Sequence, residues 1–307
     1  MSEFATFDDS RVALPLAGAR TARAPHAAAS SAPAGEAVAT EAADGHARPS
    51  SRANRLWRIA ATGFCFACFG LGGLVLRLVV FPLFVLAVRD GERRSAWARA
   101  TIRQTFRAFV GLMCLVGVCS LEVVGRERLE RRGLLILANH PSLVDVVFLM
   151  SLVRHADCIV KGALVRNPFT RGPVSAAGWV CNDSGPGLID DCVASLRSGN
   201  NLIIFPEGTR TPAGASLGRL QRGAANLAVR GGFAITPVRI HSAPRMLSKG
   251  EKWWRVPPRR GHFRIEVGED IAIDTHLEGD AAHTLAARRL NDELARHLGG
   301  ETPHGTA

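Results

Sequence analysis

Tyrosine is absent from the 307 residues, aromatic residues make up only 6%, and lysine supplies three of the 38 basic residues, the rest being arginine. The missing Tyr leaves few platforms on which bases could stack. There is no zinc-finger spacing and no RNP-like aromatic strand either. Nucleic acid is therefore not the expected partner, despite a net charge of +11. A basic surface of this size also attracts anionic lipid headgroups, acidic carrier proteins and phosphorylated substrates. The arginine skew by itself is compatible with genomic base composition.

A disulfide framework is lacking as well. The seven cysteines are odd in number and scattered, and four lie in apolar runs. They read as reduced, buried small hydrophobes in a protein facing the cytoplasm. Cys65-x-x-Cys68 sits among Phe64, Phe66 and Phe69 with no second ligand pair, so neither a metal nor a redox role is expected there. A clean signal peptide is also missing, because the first long apolar run begins only near Ile59. Residues 1–50 are rich in Ala, Ser, Pro and Gly without apolar periodicity and read as a disordered tail.

Long hydrophobic runs are present. Ile59 to Leu76 is 18 residues without charge; Arg77 interrupts, and Leu78 to Val88 continues with Pro82 inside. Phe106 to Leu121 is apolar after Arg107. The first run meets the lower limit for a membrane span. Arginines flank it on both sides, so charge asymmetry gives no orientation. A helical pair dipping into one leaflet fits at least as well, and buried core helices are the alternative. From Leu121 the texture alternates between strand and helix. Strands are expected at 121–124, 134–138, 158–160, 178–181, 202–205, 234–240 and 263–267. Helices are expected at 142–153, 186–197, 217–230 and 281–298, the last with Leu285, Leu290, Leu294 and Leu298 inward. The chain thus divides into a tail (1–50), a membrane-associated helical segment (51–120), a catalytic domain (121–300) and a tail (301–307). The fold class is α/β: a layered mixed sheet flanked by helices.

Two stretches carry chemistry. Leu134 to Leu137 reads as a buried strand, and Asn139-His140-Pro141-Ser142-Leu143-Val144-Asp145 follows at its carboxyl end, where open α/β sheets bind ligands. Asp145 is placed to hold one imidazole nitrogen of His140 while the other accepts a proton. His-x4-Asp alone is a weak motif. A second apolar run ends in Phe205-Pro206-Glu207-Gly208-Thr209-Arg210, and two polar strand ends suggest one shared site. Ser142 follows the histidine, but no Gly-x-Ser-x-Gly nucleophile elbow is expected in the chain, so a serine nucleophile is rejected.

With these pieces, residues 55 to 270 resemble the glycerolipid acyltransferases of the lysophosphatidic acid acyltransferase (PlsC-like) family. The family's Asn-His-x4-Asp block is matched by Asn139, His140 and Asp145, and its Phe-Pro-Glu-Gly-Thr-Arg block at all six positions, 205–210. Its apolar-Pro block is matched by Ile235-Thr236-Pro237-Val238. Its second block runs here through Lys161, Pro168, Phe169, Gly172 and Gly178, and it ends in Asp183-Ser184 where the family has Asp-Arg. The resemblance implies acyl transfer from acyl-CoA or acyl-carrier protein to a lipid hydroxyl, with His140 as base and Asp145 as its partner. The acceptor is a 1-acylglycerol-3-phosphate-like lysophospholipid or, alternatively, a specialised bacterial lipid. An inactive membrane scaffold is the reading of another class, which the intact His140, Asp145 and Glu207 oppose.

Further roles follow as expectations. Arg210 is the candidate phosphate ligand, since guanidinium grips phosphate in a bidentate way. Glu207 positions Arg210 or an acceptor hydroxyl, or is structural; Gly208 and Thr209 complete the substrate-binding set. Lys161 binds phosphate or caps a strand. The amides of Ser142 and Leu143 are candidate oxyanion donors. Ser184 in place of Arg removes a charge-assisted contact, so lysophosphatidic acid is expected to be held weakly. No metal and no cofactor are expected. Lys249 to Arg260, with Trp253 and Trp254 among five basic residues, suits a membrane interface. The expected location is a bacterial inner membrane with the catalytic domain on the cytoplasmic side.

Overall fold

The computed structural model describes residues 52–160, 166, 171–180, 187–212, 215–273 and 280–299. Six strands form one sheet: β1 (Cys119–Val124), β2 (Leu135–Ala138), β3 (Ala156–Cys158), β4 (Asn201–Ile204), β5 (Ile235–Ala243) and β6 (Gly261–Val267). The order is β1-β6-β5-β2-β4-β3. β5 and β6 are antiparallel and every other neighbouring pair is parallel, which makes the sheet mixed.

β2 is the central strand, and its side chains are withdrawn from water on both faces. Alternation along a strand sends Leu135 and Leu137 one way and Ile136 and Ala138 the other. Leu135 and Leu137 meet Leu196 of α6 (Leu188–Arg197), Leu227 of α7 (Gly223–Gly231) and Leu294 of α8 (Asp280–Gly299). Ile136 and Ala138 pack with Phe148 and Leu149 of α4 (Asp145–Leu152) and Phe263 of β6. A strand covered on both faces needs no polar alternation, which is why Leu-Ile-Leu-Ala reads as one apolar run.

The N-terminal part is a helical hairpin. α1 (Arg52–Val75) passes through a wide π turn (Leu76–Val80) into α2 (Phe81–Ala87), and α3 (Gly91–Leu115) returns. Pro82 falls in the first turn of α2, where a missing N–H is harmless. Asp90 caps α3 by accepting the Glu92 N–H at 2.9 Å. α3 therefore starts well before Phe106 and carries Arg99, Arg103 and Arg107 within one helix. Its buried stripe of Ala98, Ile102, Val110 and Met113 explains why. Val110 and Met113 share a core with Phe148 of α4 and Ile265 of β6. The hairpin and the α/β body thus belong to one unit, Ser51–Ala307. The apolar stretch Arg52–Ala87 is long enough to cross a membrane, and its most hydrophobic window is only 11% buried within the protein.

Several expectations shift. Residues 178–180 form no strand; Val160 N–H donates to Val180 O at 2.9 Å, and the Trp179 indole N–H donates to Ala156 O of β3 at 3.3 Å. Residue 181 lies outside the described part. Leu285 is exposed rather than inward, whereas Leu290, Leu294 and Leu298 are buried. α4 begins at Asp145, because the turn 141–144 is shaped by the Asp145 carboxylate. α7 begins only at Gly223, after an irregular stretch that feeds the site. A short helix, α5 (Arg171–Ala177), was not foreseen.

Candidate active site

β2 and β4 run parallel and side by side, with Leu137 opposite Ile204. Their continuations, Asn139-His140 and Phe205-Pro206-Glu207, therefore leave the carboxyl edge of the sheet together. Asn139 extends the pairing with β5 by one residue. Its side-chain amide donates to Ile240 O at 2.8 Å and accepts Ile240 N–H at 2.6 Å. The strand end is thereby held in line up to the histidine.

His140 is fixed on three sides. Its N–H donates to Glu207 Oε1 at 2.8 Å, and its carbonyl accepts Thr211 N–H at 2.7 Å. Its Nδ1 lies 2.9 Å from Asp145 Oδ2. The Phe205 ring lies against the imidazole, centroids 4.4 Å apart. With an ionised Asp145, Nδ1 carries the proton and the Nε2 lone pair is available as a base.

Asp145 is fully buried, and its Oδ2 also accepts Ser142 N–H at 2.6 Å. Burial pushes its pKa up to about 6, against the opposing pull of His140. It is ionised at neutral pH and protonated in mild acid. Its Oδ1 has no hydrogen-bond partner among the described residues.

Glu207 makes its hydrogen bonds within the protein. It is almost wholly buried, and both oxygens are committed: Oε1 to His140 N–H and to the Thr211 hydroxyl at 3.0 Å, Oε2 to Gly218 N–H at 2.7 Å. It is a clamp between the two strand ends and the loop beyond. The close approach requires Gly218, since a Cβ there would overlap Glu207 Oε2. Gly208 turns the loop with a φ of 63°, and Thr209 is half-buried beside it.

The two proposed oxyanion amides are occupied in this structure. Ser142 N–H serves Asp145, and Leu143 N–H donates to Leu247 O at 3.1 Å. Arg210 is half-buried, and its Nη1 donates to Leu247 O and Ser248 O, both at 3.0 Å. Lys161, Pro168, Phe169, Asp183 and Ser184 lie outside the described residues. Sequence reasoning missed Thr211, Gly218 and Leu247. Only the small residue at 218 hinted at a close approach. Gly214-Ala215-Ser216-Leu217-Gly218 does spell Gly-x-Ser-x-Gly. Ser216, however, is exposed in irregular chain rather than at a strand-to-helix elbow.

A histidine–aspartate pair suited to general-base chemistry and a partly buried Phe-Pro-Glu-Gly-Thr-Arg loop stand on adjoining strand ends, the arrangement expected of the acyltransferases that the sequence resembles. Comparison with known proteins agrees. A family model described as Acyltransferase matches residues 120–241. The 1-acyl-sn-glycerol-3-phosphate acyltransferase of Pseudomonas aeruginosa is 27% identical over 197 residues, 61% of this chain and 72% of that one. Its Helicobacter pylori namesake is 30% identical over 142 residues, 44% of this chain and 59% of the relative. The Saccharomyces cerevisiae protein of the same name is 28% identical over 160 residues and is half covered, at 50%. The crystal structure of the 1-acyl-sn-glycerophosphate acyltransferase PlsC from Thermotoga maritima superposes with a TM-score of 0.60 at 18% identity, covering 80% of this chain and 96% of that one. Residues 120–241 carry an Acyltransferase domain, the chain is similar to the PlsC-like proteins, and it is an acyltransferase.

Proposed function

We propose that the protein transfers a fatty acyl group from a thioester, acyl-CoA or acyl-carrier protein, to the free hydroxyl of a 1-acylglycerol-3-phosphate-like lysophospholipid. The observation that carries this reading is the His140 ring, held through Nδ1 by a buried Asp145 and braced by Phe205. An alcohol becomes a competent nucleophile when a base takes its proton during attack. The hydroxyl oxygen attacks the thioester carbon as Nε2 accepts the proton. The tetrahedral oxyanion then collapses, the C–S bond breaks, and the thiolate leaves with the proton from the imidazolium. Asp145 stabilises that imidazolium. The step balances with no cofactor beyond the thioester substrate. Arg210 is the phosphate ligand in this reading. An apolar cavity of about 180 Å³ behind Phe205, lined by Ile159, Leu188, Cys192 and Leu227 among others, supports a substrate with an aliphatic chain.

The protein works on a membrane surface in this account. Leu71, Leu78, Leu83 and Leu86 of the hairpin are exposed, and so are Trp57, Trp253 and Trp254. Trp253 packs on the Phe66 ring at 6.2 Å, so the basic Trp loop adjoins the hairpin. Aromatic and basic groups beside exposed aliphatics suit headgroup depth. The membrane is the bacterial inner membrane, with the catalytic edge on the cytoplasmic side where both donors occur. The test is purified protein with a radiolabelled acyl thioester, screened against lysophospholipids with mass-spectrometric product detection. Diacyl product from 1-acylglycerol 3-phosphate supports the reading; thioester left intact with every lysophospholipid contradicts it.

A further inference from the structure

Leu247 has a φ of 55°, a conformation that side chains other than glycine rarely adopt. In that conformation its carbonyl accepts twice, from Leu143 N–H at 3.1 Å and from Arg210 Nη1 at 3.0 Å. The adjacent Ser248 carbonyl takes the same Nη1 at 3.0 Å. Leu143 is three residues beyond His140, in the turn that Asp145 shapes. One carbonyl oxygen therefore joins the turn that carries the base to the arginine of the Phe-Pro-Glu-Gly-Thr-Arg loop. The Leu247 side chain is itself buried, next to Met246, so the strained residue is locked from both sides.

We propose that the left-handed Leu247 carbonyl is a positioning group that sets Arg210 relative to His140. Anchoring Nη1 fixes the plane of the guanidinium and the direction of its other N–H groups. Guanidinium recognition of a phosphate is planar and directional, so that plane decides where the phosphate rests. The acceptor's phosphate and hydroxyl are joined by a short glycerol, so a fixed phosphate delivers the hydroxyl to one place. A small misplacement there is costly, because attack needs near-contact geometry. This inference rests on the acceptor reading above and deepens it, by naming the residue that aligns acceptor with base.

The test compares Leu247→Gly with Leu247→Val. Glycine enters the left-handed region freely, whereas a β-branched residue is strongly disfavoured there. Glycine also removes more of the buried side chain. If the backbone conformation is what matters, Leu247→Val raises the acceptor KM by about tenfold or more with the donor KM unchanged. Leu247→Gly stays within about threefold of the wild type on that measure, while its thermal midpoint falls further. If Leu247 matters only as core filling, the order reverses, with glycine the worse enzyme, and the proposal is overturned. Equal KM values in the two variants overturn it as well. A second measurement covers poor folding of either variant. In an Arg210→Ala background, Leu247→Val must add no further rise in acceptor KM, because its effect runs through Arg210; an additive rise overturns the assignment. A wild-type protein that transfers nothing to lysophosphatidate counts against the acceptor reading instead, before any Leu247 variant is compared.

Discussion

Glu207 holds His140 by its backbone: Oε1 lies 2.8 Å from His140 N, while Oε2 holds Gly218 N at 2.7 Å. The carboxylate is a strut that fixes one strand end against its neighbour. In Glu207→Gln one of the two positions becomes an NH2 group facing an N–H, so a buried donor loses its acceptor. Such a loss costs about 1–3 kcal/mol. Glu207→Gln is expected to lose that much stability in denaturant unfolding and to lose kcat, with little change in acceptor KM. A raised acceptor KM at unchanged stability would return Glu207 to the substrate.

The buried Asp145 carboxyl is expected to make activity and stability depend on pH in opposite senses. Its carboxyl is raised from 3.8 to about 6 by burial. Below pH 3.8 it is protonated in both folded and unfolded chains and contributes no difference. Between the two values the folded chain binds the extra proton, so stability falls as pH rises, by about 3 kcal/mol in all for a two-unit shift. Activity runs the other way, because only the carboxylate supports the imidazolium. Asp145→Asn should therefore lose most turnover, and the unfolding free energy of the wild type relative to this variant should fall between pH 4 and pH 7. Parallel pH profiles of stability for the two proteins would refute the buried-carboxylate account.

The membrane contact is testable by substitution at exposed positions rather than by deletion. Removing the hairpin takes Val110 and Met113 out of a core they share with Phe148 and Ile265, so the remainder is expected to unfold. Leu83→Ser, Leu86→Ser and Trp254→Ala change exposed side chains only. Together they should weaken binding to anionic vesicles in sedimentation by about a hundredfold or more, since each buried aliphatic side chain contributes about 1.5–3 kcal/mol, while the thermal midpoint stays put. Unchanged vesicle binding would move the membrane contact elsewhere.

Ser184 stands where the family has an arginine. A missing hydrogen bond to a charged group corresponds to about 1.5–3 kcal/mol. Ser184→Arg is thus expected to improve kcat/KM for lysophosphatidate by roughly 10- to 150-fold. No gain would mean that another group already supplies the contact.

The elements that position the site were legible where burial was one-sided or complete. Leu134 to Leu137 reads as a strand because both sheet faces exclude water there. His140 and Asp145 are found together because only five positions, one tight turn, separate the histidine after the strand from the first residue of the helix. Long-range contacts were not legible. Glu207 looked like a ligand group because its partners, His140 N–H and Gly218 N–H, are backbone atoms with no sequence signature. α3 starts earlier than the apolar run suggests because Arg99, Arg103 and Arg107 are themselves partly buried, Arg99 against Asp157, beside a stripe that appears only when helical phase is followed from Ala98 to Met113. Leu247 was invisible for the same reason as Glu207: its role lies in a backbone angle and a carbonyl.

The central claim is that His140 acts as the general base. Acyl transfer from a thioester to 1-acylglycerol 3-phosphate should be measured for the wild type and His140→Ala at saturating substrates, with folding checked by circular dichroism. Turnover should fall by about 10²- to 10⁴-fold with the fold retained. Near-normal turnover by folded His140→Ala protein would contradict the account.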